Sequence, residues 1–402
     1  MNNTMVGILV GLIAMATSGL VFPIALRFAR KHGIVDHPNM RKLQRVPVPV
    51  FGGVVVFSGI LVGGLALMAL IPNRMLMIGI VAMSMMMMIG IWDDMKDISA
   101  LLRFSIEIVL VTAFIFVTDV YIDDFHGMWG INELSPPIGI PLSIFIGVGI
   151  MNSVNLIDGV DGYSSGYGML ACIFLAIAFW SAWSPVMVCM TMVIIGALLP
   201  FFMHNVFGKK SRMFMGDGGT LMLGMILAVM TFYALSSKGR LCKLVEDGVC
   251  LPAFMLAVGC IPIFDTLRVM TMRVLRGNSP FKPDKTHLHH LFVDMGFSHL
   301  GTAMFILMIN MLVVLMWLVA WKAGLSIDGQ IYLVMALGIM VTFGFYKFMK
   351  MQQNSGPKDE DGFPEGSKLW QMMCKLGKKT HKEYGYYWKC IQRIMDGPLL
   401  GG

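Results

Sequence analysis

The chain carries about eleven continuous apolar runs, each close to the twenty or so residues a helix needs to cross a bilayer. They lie at 5–27, 50–72, 75–92, 101–118, 138–154, 165–183, 186–206, 214–234, 249–270, 301–321 and 328–349. In hydrocarbon every backbone N–H and C=O must be satisfied internally, which leaves helices or closed barrels. Barrel strands alternate apolar and polar residues, and these runs do not. The expected fold is an all-α polytopic membrane protein with about eleven transmembrane helices. The charged fraction agrees: 14% of residues are Asp, Glu, Lys or Arg, against about 25% in a soluble domain. Basic residues follow the first run rather than precede it, so it reads as a first span and not as a cleaved leader.

Charge orients the bundle. The formal net charge of +7 does not point to nucleic acid, because the basic residues gather in particular loops, as the positive-inside rule expects. If all eleven runs span, segments 28–49, 93–103, 155–164, 207–213 and 271–300 share one side with the tail from Lys350. The opposite loop 119–137 holds Asp119, Asp123, Asp124 and Glu133 and no Lys or Arg. The N-terminus is therefore expected outside and the C-terminus inside, with every motif-like loop cytoplasmic. Loop 235–248, with Lys238, Arg240 and Lys243, runs against that rule. The chain divides into a membrane domain, 1–350, and a tail, 351–402. Within the tail, Lys residues mix with Trp370, Tyr384, Tyr386, Tyr387 and Trp388. This reads either as an interfacial segment or as a solvated basic tail.

Five polar segments interrupt the apolar pattern. The segment Asp36-His37-Pro38-Asn39, followed by Arg41-Lys42, precedes a turn set by Pro47, Pro49, Gly52 and Gly53. Its cations suit either a phosphate or ordinary membrane anchoring. Asp93 and Asp94 end one run, with Arg103 further on. Adjacent carboxylates at a membrane helix end are expensive unless used, for a cation or as a base, although a solvated cap also fits. Asn155, Asp158 and Asp161 recur every three residues in a glycine-rich stretch. No Glu closes an EF-hand loop there, and hydrogen bonding to a sugar, a base or a metal-bound diphosphate fits. Asp217 stands at the foot of the run 214–234, after Lys209, Lys210 and Arg212. Glycines and free N–H groups at a helix start favour an anion, and Asp217 suits the cation that would neutralise it. Last comes Pro280 to His290, with His287, His289 and His290 near Lys282 and Lys285. It is not HExxH; it suits a nucleotide diphosphate, or is a loop of incidental histidines.

Together and in this order, the five segments resemble the polyprenyl-phosphate N-acetylhexosamine-1-phosphate transferase family, over roughly residues 5–350. The form of the histidine motif is more similar to the N-acetylglucosamine branch than to the phospho-MurNAc-pentapeptide translocase, which stays the alternative. The resemblance implies a transferase of the bacterial cytoplasmic (inner) membrane with its active site on the cytoplasmic side. A polyprenyl phosphate, its tail among membrane lipid, would attack a UDP-N-acetylhexosamine and release UMP. Magnesium, or manganese, would be required. By motif match, Asp217 and Asn155 would contact the metal, and Asp93 and Asp94 would be catalytic, beside the lipid phosphate. Lys42, Arg103, Asp158, Asp161, His287, His289 and His290 would bind substrate. A homodimer is compatible with the family. This sequence departs from the pattern at Gln44, where a histidine is usual, near Gly208, where a proline is common, and at Thr220, which replaces a serine and keeps the hydroxyl. From a different class, intramembrane acids also suit an ion-coupled transporter, which needs charges mid-span beside broken helices.

Overall fold

The computed structural model describes residues 3–36, 46–96, 98–281, 284–358, 365–382, 391–392 and 394–396. Lys42 and the rest of 37–45 lie outside the described residues, as do Asp97, Lys282 and Pro283. The first helix, α1 (Asn3–Lys31), leads into a two-stranded antiparallel ribbon of β1 (Val35–Asp36) and β2 (Val48–Pro49). Then follow α2 (Gly52–Leu70), α3 (Arg74–Lys96), α4 (Ala100–Thr118), α5 (Pro136–Leu156), α6 (Tyr163–Ser181), α7 (Pro185–Phe207) and α8 (Gly216–Ala234). Beyond these lie α9 (Leu251–Val258), α10 (Cys260–Leu275), the short α11 (Leu288–Asp294), α12 (His299–Lys322) and α13 (Ile327–Ile339). A π-helical turn, Met340–Phe345, joins α13 to α14 (Tyr346–Asn354), and α15 (Lys368–Lys382) belongs to the tail.

Helix starts follow local chemistry. Pro136 and Pro185 open α5 and α7, where a missing N–H loses nothing. Ser99, Ser298 and Ser326 accept N–H groups from the first turns of α4, α12 and α13.

Ten helices of the described residues are long and apolar enough to cross a membrane, and an eleventh span results if the bent pair α9–α10 is one. That pair corrects the expectation of an unbroken run at 249–270: the chain turns by 75° at Gly259, between two half-helices. The centre of the bundle is α8, 83% buried over its apolar window, whereas α4 is 28% buried and faces lipid. Small residues let α8 approach its neighbours, since lipid supplies no hydrophobic drive to join helices. A Cβ on Gly90 of α3 would lie 2.3 Å from the Gly218 Cα, and one on Gly224 would lie 2.5 Å from the Met151 Cα.

Of the basic residues of loop 235–248 that broke the charge rule, one is paired with an acid and one is tied to a backbone carbonyl. Lys238 pairs with Asp119 and donates to its carbonyl, and Arg240 donates to the Trp183 carbonyl at 2.8 Å.

Candidate active site

The ends of α3 and α5 and the starts of α4 and α8 meet at one corner. Gly216 begins α8 with φ of +74°, a left-handed conformation that suits glycine. The amides that follow are not open to a phosphate, as the sequence suggested. The Asp94 carboxylate accepts the N–H groups of Asp217 at 2.9 Å and Gly218 at 3.2 Å, so α3 caps α8. Asp93 points the other way and is buried. It accepts the Ile98 N–H at 3.1 Å and the Arg103 guanidinium at 3.0 Å. Arg103 also stands 3.5 Å from the Asp217 carboxylate and 3.6 Å from Glu107. Asn155 donates from one nitrogen to Asp217 at 2.7 Å and to the Thr220 hydroxyl at 2.9 Å, so the hydroxyl kept at 220 has a task. Asp93, Asp94, Arg103, Asn155 and Asp217 are thus one constellation, drawn from motifs far apart in sequence.

Glu107 was not foreseen. It is fully buried, takes a hydrogen bond from Asn152, and leaves Oε1 without a hydrogen-bond partner beside Arg103. Its trace in the sequence is a lone acid inside an apolar run, which is costly without a partner. Three carboxylates, those of Asp93, Glu107 and Asp217, therefore face one guanidinium, an arrangement that invites a cation.

Among the described residues no group of three or more His, Cys, Asp or Glu side chains forms a metal cage. Magnesium does not need one: it commonly binds through one or two carboxylates, with substrate phosphates and water completing the shell. The carboxylate of Asp217 and the amide oxygen of Asn155 fit such an ion in kind.

The second cluster adjoins the first. Asp158, between α5 and α6, accepts the Ser164 hydroxyl. Burial raises its pKa to about 7; the Ser164 bond opposes this, and the negative charges of Asp217 and Asp161 add to it. That coupling ties the two clusters together. Asp161 takes Arg212 through both carboxylate oxygens and lies 2.8 Å from His299 Nδ1. His289 presses on the same loop: a Cβ on Gly159 would fall 2.2 Å from its Nε2. His287 is turned away from incidental duty by Asp265, whose carboxylate lies 2.9 Å from its Nδ1 and also accepts the Leu288 N–H and Arg268. Arg268 stacks on Tyr346 at 3.8 Å and donates to the Thr286 carbonyl. The rings of His287 and His289 stack in near-parallel planes, and His287 Nε2 is buried with no partner. Asp265, Arg268, Arg212 and His299 are contacts that the sequence did not assign.

His290 sits next to His289, ring centres 4.3 Å apart. Burial, then the charge of His287, lowers its pKa from 6.5 to about 4. The unfolded chain binds this proton where the folded chain refuses it. Stability is therefore full above pH 6.5 and declines as pH falls toward 4. His290→Gln should flatten that decline, read as thermal unfolding in detergent at pH 7 and pH 5. An unchanged slope would refute the assignment.

Residues 76–235 match the model of glycosyl transferase family 4, a window that holds every residue of the first constellation together with Asp158 and Asp161. The chain is 30% identical over 313 residues to a Bacillus subtilis (strain 168) protein described as a probable undecaprenyl-phosphate N-acetylglucosaminyl 1-phosphate transferase, covering 77% of this chain and 84% of that one. The chain belongs to the polyprenyl-phosphate N-acetylhexosamine-1-phosphate transferase family. Identity to the undecaprenyl-phosphate alpha-N-acetylglucosaminyl 1-phosphate transferase of Escherichia coli (strain K12) is 28% over 293 residues, 72% of this chain and 77% of that one. The Yersinia pestis protein of the same description is 26% identical over 278 residues. In this transferase the histidine loop lies outside the family-matched window, yet it folds back onto Gly159 within it. Asp265 and Arg268, buried charges in the second half of the broken span, anchor that loop.

Proposed function

We propose that the transferase moves N-acetylglucosamine 1-phosphate from UDP-N-acetylglucosamine to undecaprenyl phosphate, starting a cell-envelope polysaccharide at the cytoplasmic face of a bacterial inner membrane. One observation carries this reading. A cavity of about 1550 Å³ has Asp93, Arg103, Asn155 and Asp217 in its wall at one end and Phe125, Trp129 and Ile331 at the other. Its lining is otherwise overwhelmingly apolar and follows α5, whose 21 residues rise about 30 Å. The α9–α10 bend supplies Val258, Gly259 and Pro262 to the wall. Exposed Phe145, Val274 and Leu275 make its mouth, so it opens to lipid. A long prenyl tail fits the groove, and its phosphate then lies at the charged corner.

A second cavity, of about 960 Å³, is lined by Arg30, Lys209, Lys210, Arg212, Asp161 and His299. Cations around one acid suit the nucleotide of the donor, with Asp161 accepting the one N–H of its uracil. A lipid phosphate oxygen then bonds to the β-phosphorus. The bond from that phosphorus to the bridging oxygen breaks, and its electron pair leaves with UMP. Phosphoryl transfer asks mainly for positioning and charge neutralisation. A magnesium ion held by Asp217 and Asn155 would supply neutralisation when bound. Arg103 draws the lipid phosphate in, and Asp93 takes its proton when it arrives singly protonated. The histidines hold the sugar phosphate above Gly159.

The test is UMP release by purified protein with magnesium, undecaprenyl phosphate and a panel of UDP-sugars. UDP-N-acetylglucosamine is expected to give UMP only when the lipid is present. Folded protein that releases none with any sugar would end the reading. Preference for a UDP-MurNAc-pentapeptide would favour the translocase instead.

A further inference from the structure

The tail touches the nucleotide cavity at two places, and each lies one residue from a partner of Asp161. At the first, the Asp396 carboxylate accepts three successive backbone N–H groups: Lys209 at 3.2 Å, Lys210 at 3.0 Å and Ser211 at 2.9 Å. It also accepts the Ser211 hydroxyl at 3.0 Å. Consecutive N–H groups aimed at one anion form a nest, here reinforced by two lysines. Ser211 is fully buried, and its hydroxyl lies 3.1 Å from His204 Nδ1. The next residue is Arg212, which holds Asp161.

At the second place α15 is seated on the turn between α11 and α12. Its buried residues Trp370 and Gly377 are seven apart, two helical turns along one face. A Cβ on Gly377 would fall 2.7 Å from the Met295 carbonyl oxygen, so the helix is closely seated. The Thr380 hydroxyl accepts the Ser298 N–H at 3.3 Å. The next residue is His299, the other partner of Asp161. Gln392 itself lines the cavity. The hydrogen bonds from 209–211 outweigh burial and hold the Asp396 carboxyl below its usual range, which keeps the contact charged.

We propose that the described segments of the tail are docked to hold the donor site and that Asp396 is a positioning residue for the sugar-nucleotide: it fixes the 209–211 amides, and Thr380 the Ser298 amide, so that Arg212 and His299 stay on Asp161. The proposal rests on the nucleotide reading of that cavity. Among the described residues none of the tail bonds to Asp93 or Asp217, so the docked tail acts on donor binding and not on the transfer step.

The test uses the full chain, Asp396→Ala, Asp396→Asn and a chain ended after residue 390. With UDP-N-acetylglucosamine as donor, Asp396→Ala and the shortened chain should raise KM about tenfold, the scale of losing one charge-assisted contact. The kcat should stay within about twofold, and Asp396→Asn, which keeps one acceptor oxygen, should fall between. Without substrate, amide hydrogen exchange at 209–211 should quicken in Asp396→Ala. A KM that is unchanged or lower, or a loss confined to kcat, would overturn the proposal. So would unaltered exchange, which is read even if no UDP-sugar is turned over and the donor assignment has failed.

Discussion

Asp217→Asn should lower kcat/KM by about 10³-fold while the protein still inserts and folds, the scale on which removing a preorganised electrostatic group slows transfer. The change keeps the size and shape of the side chain. Asn155 can still donate to the oxygen at 217, and the Asp94 cap on the amides of residues 217 and 218 is untouched, since it uses backbone groups. What disappears is the negative charge 3.5 Å from Arg103 at the charged end of the large apolar cavity. With Asn at 217, the remaining acids no longer offer the carboxylate and amide pair best suited to a divalent ion. Because the Asn155 bond and the Asp94 cap both survive the change, the unfolding temperature should move little. Turnover within tenfold of the parent, under saturating magnesium and both substrates, would mean that the constellation is misassigned.

Gly90→Val should cost both stability and about 10² in turnover, although residue 90 carries no functional group. A Cβ at that position would lie 2.3 Å from the Gly218 Cα, 2.4 Å from its nitrogen and 2.6 Å from the Asp217 carbonyl carbon. All three are backbone atoms, so no side chain can swing aside and the helices must part. Forcing extra carbons into a packed contact costs about 1–3 kcal/mol. Parting α3 from α8 also moves Asp93 and Asp94 away from Asp217, and a shift of about 1 Å in a catalytic array is worth roughly a hundredfold. Gly79 is the control. It lies on the same helix with nothing within 4 Å of its Cβ position, and Gly79→Ala should leave turnover near the parent value. Parent-like turnover and unfolding temperature for Gly90→Val would show that the two helices are not in close contact.

The number of spans was legible because bilayer thickness imposes a length, and length is written plainly in an apolar run. The break at Gly259 was not. Apolar residues continue on both sides of it, and the hints are only that glycine and Pro262, three residues later. Membership of the constellation was legible from carboxylates, a guanidinium and an amide at the ends of spans. The division of labour was not: nothing local distinguishes Asp93 from Asp94, and the Asp94 cap depends on amides 123 and 124 positions away. His287 was singled out, but its anchor, Asp265, stood inside a run whose charges were passed over. Arg212 was read within a basic cluster, and only folding shows that it serves Asp161.

Under the proposed function, the sideways mouth between α5 and the bent α9–α10 pair sets the dimensionality of the acceptor's encounter with the protein. A prenyl chain that enters there never leaves the leaflet, so its arrivals are counted per unit area and not per unit volume. Diluting the acceptor with inert lipid at constant bulk amount slows those arrivals, whereas adding buffer does not. For the water-borne nucleotide on the other side of the corner the dependence is reversed.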